Sequence, residues 1–482
     1  MKVQVNTEKV LGAYTDPTQW QNSTLRYVPP VDFPRFLASR LGKAKIMRTW
    51  ITLDEYWDYR TGTTYPDYEI GKLRYPVEQL HYPYDMASIV PAPSGTRFRD
   101  YLITHSQNAQ ALLLNVRRYE REVSDGVISY DQYEALFENA VEYCKSLAPN
   151  IRYVECCNEV DITAFGLLTA EEYVAIYLRA YQAVKRLNER HNYAIPLELG
   201  GFGQAHPLQS WALRTRIMEL LKESPIGDDP MAFYAYHMYN APENRSLTNA
   251  GMFSLTRLSG IEKLKKILQQ HHELMEKLDL PQRPVFLDEI GRARATGMDG
   301  DSAHNAAGLL TYMIAFCKGD LGQAYPFPWC SFHNPKLQMS YTQYLLREDG
   351  SFGATPNGIA MEMLHSLSGD LLEVSVSDTP CPDAMYCALA VKDADGFAVL
   401  ATNPTWDSMP CELELNGLED GQYRVEIYSC NLVKNNIVYH KGTGTGKLEK
   451  TEEKTVKVQN GRLYHWELFD KDCFSLTRFY KI

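Results

Sequence analysis

The stretch Ile151-Arg-Tyr-Val-Glu-Cys-Cys-Asn-Glu159-Val-Asp161 begins as a short apolar run and ends on a carboxylate behind an amide. Pro284-Val-Phe-Leu-Asp-Glu289-Ile-Gly291 has the same shape further along the chain. Both runs are short and largely apolar, bounded by turn-forming residues, which reads as strands buried on both faces. Working outward from this pair, similar runs occur at Val3–Tyr14, Ala44–Ile51, Ala111–Arg118, Leu197–Gln204, Ala232–Asn240 and Gly322–Trp329. With Ile151–Glu159 and Val285–Gly291 they make eight candidate strands. Helical patterns lie between them, over Pro34–Leu41, Arg97–His105, Tyr130–Leu147, a stretch from Thr169 to about Asn188, Pro207–Leu221, Leu255–Leu278, Ser302–Cys317 and Asn357–Leu367. Ser129 is placed to cap the third of these. Thr169 and Glu172 have capping-box spacing, and Thr355-Pro356 is a cap followed by proline at the first helical position. Eight alternations of strand and helix predict a closed (β/α)8 TIM barrel, with an open doubly wound sheet as the competitor. Gly201-Phe-Gly203 lacks the rest of a dinucleotide fingerprint, so no nucleotide cofactor is expected.

After Gly369 the pattern changes to short strands separated by turns such as Ala394-Asp-Gly396, Glu419-Asp-Gly421 and Asn460-Gly461. The expected organisation is an α/β catalytic barrel over 1–368, followed by a C-terminal antiparallel β-sandwich over 369–482. The segment Lys441–Lys454 reads as a loop.

A net charge of −11 argues against a broad basic face, so no nucleic-acid partner is expected. No apolar stretch is long enough to span a membrane, and no signal sequence is apparent. The ten cysteines show no paired zinc-ligand spacing. The expectation is a cytoplasmic protein with reduced thiols and no metal; whether it forms a homo-oligomer stays open. His271-His272 lies on a charged helical pattern and reads as solvent-facing.

The chemistry is expected at the strand ends. In a (β/α)8 barrel, a carboxylate at the C-terminal end of a strand faces the catalytic mouth. Glu159 ends predicted strand four and Glu289 ends predicted strand seven. Two such carboxylates suit glycoside hydrolysis with retention, in which one protonates the leaving oxygen and the other attacks the sugar carbon. Asn188-Glu189 and Asp54-Glu55 repeat the dipeptide chemistry without that location. Between strand two and its helix, an insertion carries Tyr56, Trp57, Tyr59, Tyr65, Tyr68, Tyr75, Tyr82 and Tyr84. These rings are expected either to wall a sugar cleft or to pack the loop on itself.

Glutamates ending strands four and seven resemble the signature of clan A retaining glycoside hydrolases. Glu155-Cys-Cys-Asn158-Glu159-Val-Asp161 resembles the Glu-x-Trp-Asn-Glu-Pro-Asp motif of glycoside hydrolase family 39, the β-xylosidase and α-L-iduronidase family. Cys157 stands in place of its Trp and Val160 in place of its Pro. Asp288-Glu289 resembles the nucleophile motif of the iduronidase branch. Phe233-Tyr-Ala-Tyr-His237-Met-Tyr239 looks like strand six of the clan, and Arg48 like its strand-two arginine. The resemblance implies Glu159 as acid/base and Glu289 as nucleophile, with Arg48, His237 and Tyr239 around the nucleophile. It further implies Asn158 on the sugar 2-hydroxyl and Trp329 as the floor of the sugar subsite. Trp50, at the end of strand two, is a further aromatic candidate. For Arg48 a purely structural ion pair, for His237 a core histidine and for Trp329 plain packing remain open. Arg292 and Arg294 follow the nucleophile and could grip a sugar carboxylate; His333 and Asn334 could meet hydroxyls. The expected activity is exo-cleavage of an equatorial glycoside such as a β-xyloside. Its alternatives are an endo-β-glycanase of the same clan and a catalytically silent carbohydrate-binding barrel.

Overall fold

The computed structural model describes residues 1–23, 32–72, 79–82, 95–239, 260–291, 301–329, 332–333, 343–347, 349–405, 407–439 and 441–482. Eight parallel strands form the first sheet: Trp20–Asn22, Ala44–Thr52, Ala109–Arg117, Ile151–Cys156, Glu198–Gln204, Tyr234–Tyr239, Val285–Gly291 and Ala324–Pro328. They neighbour one another in chain order, and a parallel bridge from Asn22 to Trp329 joins the last to the first, closing the barrel. A helix follows each strand: Phe33–Leu41, Phe98–Gln107, Tyr130–Leu147, Ala170–His191, Trp211–Lys222, Gly260–Lys277, Asp301–Cys317 and Pro356–His365. The capping expectations are met: Ser129 with Gln132 and Thr169 with Glu172 form capping boxes, and the Thr355 hydroxyl accepts from the Gly358 amide. No helix among the described residues is long and apolar enough to cross a membrane.

The first strand of the barrel is not the expected Val3–Tyr14. Residues Lys2–Ala13 instead enter the second sheet, antiparallel beside Asp370–Ser377 and parallel beside Met409–Asn416. Val3 and Val5 point into that sheet's core while Gln4 and Asn6 point away. Such alternation marks a strand buried on one face, whereas barrel strands are buried on both. The second sheet therefore draws on both ends of the chain. Its nine strands are antiparallel apart from that one pair, and it curls until its edge strands, Glu452–Val458 and Arg462–Phe469, lie next to each other at a turn. Residues 441–451 form a loop, while 452–454, expected to belong to it, open the strand Glu452–Val458.

One apolar core runs from the barrel helices into the second sheet, where Leu371, Leu389, Leu400 and Phe474 join it. Thr402 donates to the Ala307 carbonyl across the junction at 2.9 Å. His271 departs from expectation. It is buried, at 3% exposure, with its Nδ1 2.9 Å from the Tyr236 hydroxyl, and burial pushes its imidazole down to about 3. It falls on the helix face of Leu264, Ile267 and Leu274, whereas His272 faces solvent and pairs with Glu276. In the aromatic insertion, Tyr56 packs near Tyr143 and Tyr68 stacks on Phe98, both buried. Trp57 and Tyr59 meet the Tyr119 ring edge-on. These rings serve packing against the barrel. Tyr75 and Tyr84 lie outside the described residues. The cysteines among the described residues are buried.

Candidate active site

Strand four stops at Cys156, earlier than its apolar run suggests. Cys157 (φ +68°) and Glu159 (φ +48°) then turn the chain across the barrel mouth in left-handed conformations. Three hydrogen bonds fix this turn. The Asn115 amide donates to the Cys157 carbonyl at 2.6 Å, the Cys157 N–H to the Val116 carbonyl at 3.0 Å, and the Glu159 N–H to the Gly203 carbonyl at 2.7 Å. Gly203 itself (φ +55°) allows the approach. A Cβ there would stand 2.7 Å from Glu155 Oε1 and 3.5 Å from the Asn158 Cα.

Strand seven is irregular where it matters. Its pairing register with strands six and eight breaks between Phe286 or Leu287 and Glu289 or Ile290. In a regular strand, adjacent side chains point to opposite faces. Here both Asp288 and Glu289 reach the same arginine inside the barrel, as a bulge allows.

That arginine is Arg48, on strand two and fully buried. Its Nε lies 2.9 Å from Asp288 Oδ2 and 3.0 Å from Glu155 Oε2. Its Nη1 lies 3.0 Å from Glu289 Oε1, and its Nη2 donates to Asn158 Oδ1 at 2.9 Å. Burial alone would weaken the guanidinium's hold on its proton. Asp288, Glu155 and Glu289 outweigh this and raise it above the usual arginine range. His237, on strand six, holds the two candidate glutamates from the other side. Its Nδ1 is 2.6 Å from Glu159 Oε1 and 3.5 Å from Glu289 Oε2, and its Nε2 is 3.6 Å from Asp288 Oδ1. Burial disfavours the imidazolium, but Glu289, Glu159 and Asp288 overcome it and push His237 up to about 10. Its imidazolium is thus favoured while those carboxylates are ionised. Burial, reinforced by Glu155, drives Asp288 well above the carboxylate range against the pull of Arg48 and His237.

The structure thus brings Glu159, Glu289, Asn158, Arg48 and His237 together. Arg48 fixes the Asn158 side chain through Oδ1, and its Nδ2 has no hydrogen-bond partner among the described residues. Trp50 and Trp329 meet edge-on, with ring centroids 6.3 Å apart, and both are buried. The Arg48 and Arg117 guanidinium carbons lie 5.4 and 3.8 Å from the Trp50 ring centre. The Trp50 Nε1 has no hydrogen-bond partner among the described residues. Tyr239 ends strand six, but its side chain, like that of His333, lies outside the described residues, as do Arg292, Arg294 and Asn334.

Four residues had no role in the sequence reading. Glu155 and Asp288 share Arg48 with the candidate nucleophile. Arg117 and Arg118 end strand three beside Trp50 and Phe165. The signal for the arginines was visible, since an apolar run ending in two cations repeats the pattern that marks the glutamates. Glu155–His237–Asp288 and Glu159–His237–Glu289 each gather oxygen and nitrogen atoms within 4.8 Å, close enough to hold a metal ion. The Arg48 guanidinium already supplies positive charge to Glu155, Asp288 and Glu289.

No family model matches the sequence, and no curated protein does. Solved structures do match in fold. A glucosidase from Croceicoccus marinus superposes with a TM-score of 0.61 at 15% identity, covering 100% of this chain and 99% of its own. The GH39 enzyme from Xanthomonas axonopodis pv. citri gives 0.62 at 14%, covering 100% and 97%. A monomeric β-xylosidase from Caulobacter crescentus CB15 gives 0.64 at 13%, covering 100% and 99%. At these identities the likeness is one of architecture: the barrel and its trailing sheet together form the fold of these glycoside hydrolases.

Proposed function

We propose that this protein is a retaining glycoside hydrolase, with Glu289 as nucleophile and Glu159 as acid/base. One observation carries the reading: carboxylate oxygens of Glu159 and Glu289 lie within 4.8 Å of each other. Retaining enzymes separate their carboxyl groups by about 5–5.5 Å, whereas inverting enzymes leave about 6.5–9.5 Å for a water. In the first step Glu289 attacks the anomeric carbon as its bond to the leaving oxygen breaks, and Glu159 gives that oxygen a proton. In the second step Glu159 takes a proton from water, which attacks the same carbon and releases the Glu289 carboxylate. Arg48 holds negative charge at Glu289, and His237 beside it fixes its direction. The orientation of Asn158 leaves its N–H2 group to donate to the sugar 2-hydroxyl, a contact that strengthens as positive charge develops on the ring. Trp50 and Trp329 would back the sugar, and Tyr239 would complete the nucleophile's surroundings. Architectural likeness to a glucosidase and a β-xylosidase supports exo action on an equatorial glycoside such as a β-xyloside.

The test is a panel of aryl glycosides: β-xyloside, β-glucoside, β-galactoside, α-L-arabinoside and α-L-iduronide. One should be turned over by the wild type and not by Glu289→Ala, and azide should restore turnover to Glu159→Ala through a glycosyl azide of retained configuration. Activity surviving in Glu289→Ala would remove the assignment. Release of oligomers alone from a polymer would replace exo with endo action.

A further inference from the structure

Asp288 stands beside the candidate nucleophile and has no part in the proposed reaction. Both of its carboxyl oxygens are buried, and neither finds an N–H or O–H donor among the described residues. Glu155 Oε1 is in the same position. Asp288 Oδ2 lies 2.9 Å from Arg48 Nε, yet the single hydrogen on that nitrogen is directed at Glu155 Oε2, 3.0 Å away. The charged groups that face Asp288 are Arg48 from strand two, Glu155 from strand four, His237 from strand six and its own neighbour Glu289. From strand one, the Asn22 amide donates to the Asp288 backbone carbonyl at 2.8 Å and pins the bulge. A buried carboxylate without a donor is costly.

The local charges do not balance if every carboxyl is ionised. Arg48 brings one positive charge to Glu155, Asp288 and Glu289, so two negative charges would stay unmatched in a buried site. His237 does not cancel them, because its Nδ1 is engaged by Glu159 at 2.6 Å. A hydrogen bond joins the Asp288 and Glu155 carboxyls, and two carboxyls can make one only with a proton between them. One proton thus removes a charge and supplies the missing donor. It belongs to Asp288, since Glu155 already accepts from Arg48 Nε and pairs with Nη2 at 2.9 Å.

We propose that Asp288 is a positioning residue for the nucleophile: as a neutral acid it donates to Glu155 and leaves the Arg48 charge to Glu289. An ionised Asp288 would compete for the guanidinium and repel Glu289, and both effects would favour protonation of the nucleophile. The bulge in strand seven then has a use. It sets a neutral donor, not a second charge, beside the attacking carboxylate. The positioning role rests on Glu289 as nucleophile; the place of the proton does not.

Infrared difference spectra of the full chain read the proton without turnover. At neutral pH in heavy water, wild type minus Asp288→Asn should contain the C=O band of a protonated carboxyl, above the amide band. Glu155→Gln should lose the same band, because its amide can donate to Asp288 and release the proton. That variant decides the matter if Asp288→Asn does not fold. A band absent from wild type, or kept in full by both variants, means an ionised Asp288 and overturns the proposal. On an aryl glycoside that is turned over, Asp288→Ala should lower kcat about 10²-fold, as a misplaced nucleophile does. Asp288→Asn, neutral and still a donor, should recover most of that loss, and equal losses in the two would overturn the positioning role. A wild type that shows the band but cleaves no glycoside keeps the shared proton and sinks the proposed reaction. One that cleaves but lacks the band sinks this inference alone.

Discussion

Replacing Arg48 by methionine tests the centre of the site by its energetics. The side chain is fully buried and lies within 3.0 Å of oxygens from Glu155, Asp288 and Glu289. At 3 Å and an effective dielectric of about 20, each ionised carboxylate attracts the guanidinium by roughly 5 kcal/mol before desolvation is subtracted, and Asp288, held well above the carboxylate range, adds less. Most of that gross gain offsets the cost of burying the charges. What remains when one partner is removed is an uncompensated buried negative charge, worth about 3–5 kcal/mol of destabilisation. The remaining carboxylates have one way to relax, which is to take up protons. The folded variant then binds more protons than its unfolded chain, so its stability falls as pH rises. The slope is about 1.4 kcal/mol per pH unit for each excess proton. Urea unfolding at pH 7.5 should therefore show Arg48→Met less stable than wild type by about 3–5 kcal/mol, with the gap narrowing at pH 5.5. Arg48→Lys keeps the charge but loses the fork that reaches several carboxylates at once, and should fall between the two. A gap that does not change between pH 7.5 and 5.5 would refute the reasoning, because the loss would then come from packing and not from stranded charge.

Three further outcomes follow from the same geometry. His237 has its imidazolium favoured up to about pH 10, so its contribution to stability is complete below about pH 6.5 and is lost as pH rises towards 10. The melting temperature of the wild type should fall more steeply across that window than that of His237→Gln, and parallel curves would contradict the charge assignment. Asn158→Ala should lower kcat/KM about 10²–10³-fold. A 2-deoxy glycoside should carry a similar penalty with wild type and almost no further penalty with the variant, whereas additive losses would separate Asn158 from the 2-hydroxyl. Gly203→Ala puts a Cβ 2.7 Å from Glu155 Oε1 at a φ of +55°, so the turn carrying Glu159 must shift. A shift of about 1 Å there should cost about 10²-fold in kcat with an unchanged far-UV spectrum; unaltered kcat would show that the close approach is idle.

The sequence made the strands that matter legible because they are short, largely apolar runs that end on a carboxylate. Val285–Gly291 matches its expected bounds, and Ile151–Cys156 differs only where two left-handed residues end it. The first strand was misplaced for the opposite reason. Trp20-Gln-Asn22 is three residues long and two of them are polar, so no periodicity marks it, while Val3–Tyr14 offered a longer run that belongs to the other sheet. Asp288 and Glu155 had no assigned role because pattern reading assumes a regular pleat. A bulge that turns two adjacent carboxylates onto one arginine is a tertiary event with no local signature. His271 was misread because its helix is charged on one side only, and a net count of charges hides which face a residue occupies.

The strand at the start of the chain has a consequence for how the molecule is made. Lys2–Ala13 is held on one edge by Asp370–Ser377 and on the other by Met409–Asn416, and the terminal amine donates to the Pro410 carbonyl across 409 positions of sequence. At about 5–20 residues per second of synthesis, a strand made first waits roughly 20–80 s for its second neighbour. Both of its edges are open ladders until Asp370–Ser377 is made and one remains open until Met409–Asn416 follows, while barrel strands behind it can already pair with one another. A newly made chain therefore depends on keeping this segment unpaired, and a ribosome-bound intermediate stalled before residue 409 would present it to other chains as a free edge. Cutting the chain at the sequence boundary near 368 would not yield two self-sufficient halves, because the second sheet would lack a strand from its interior.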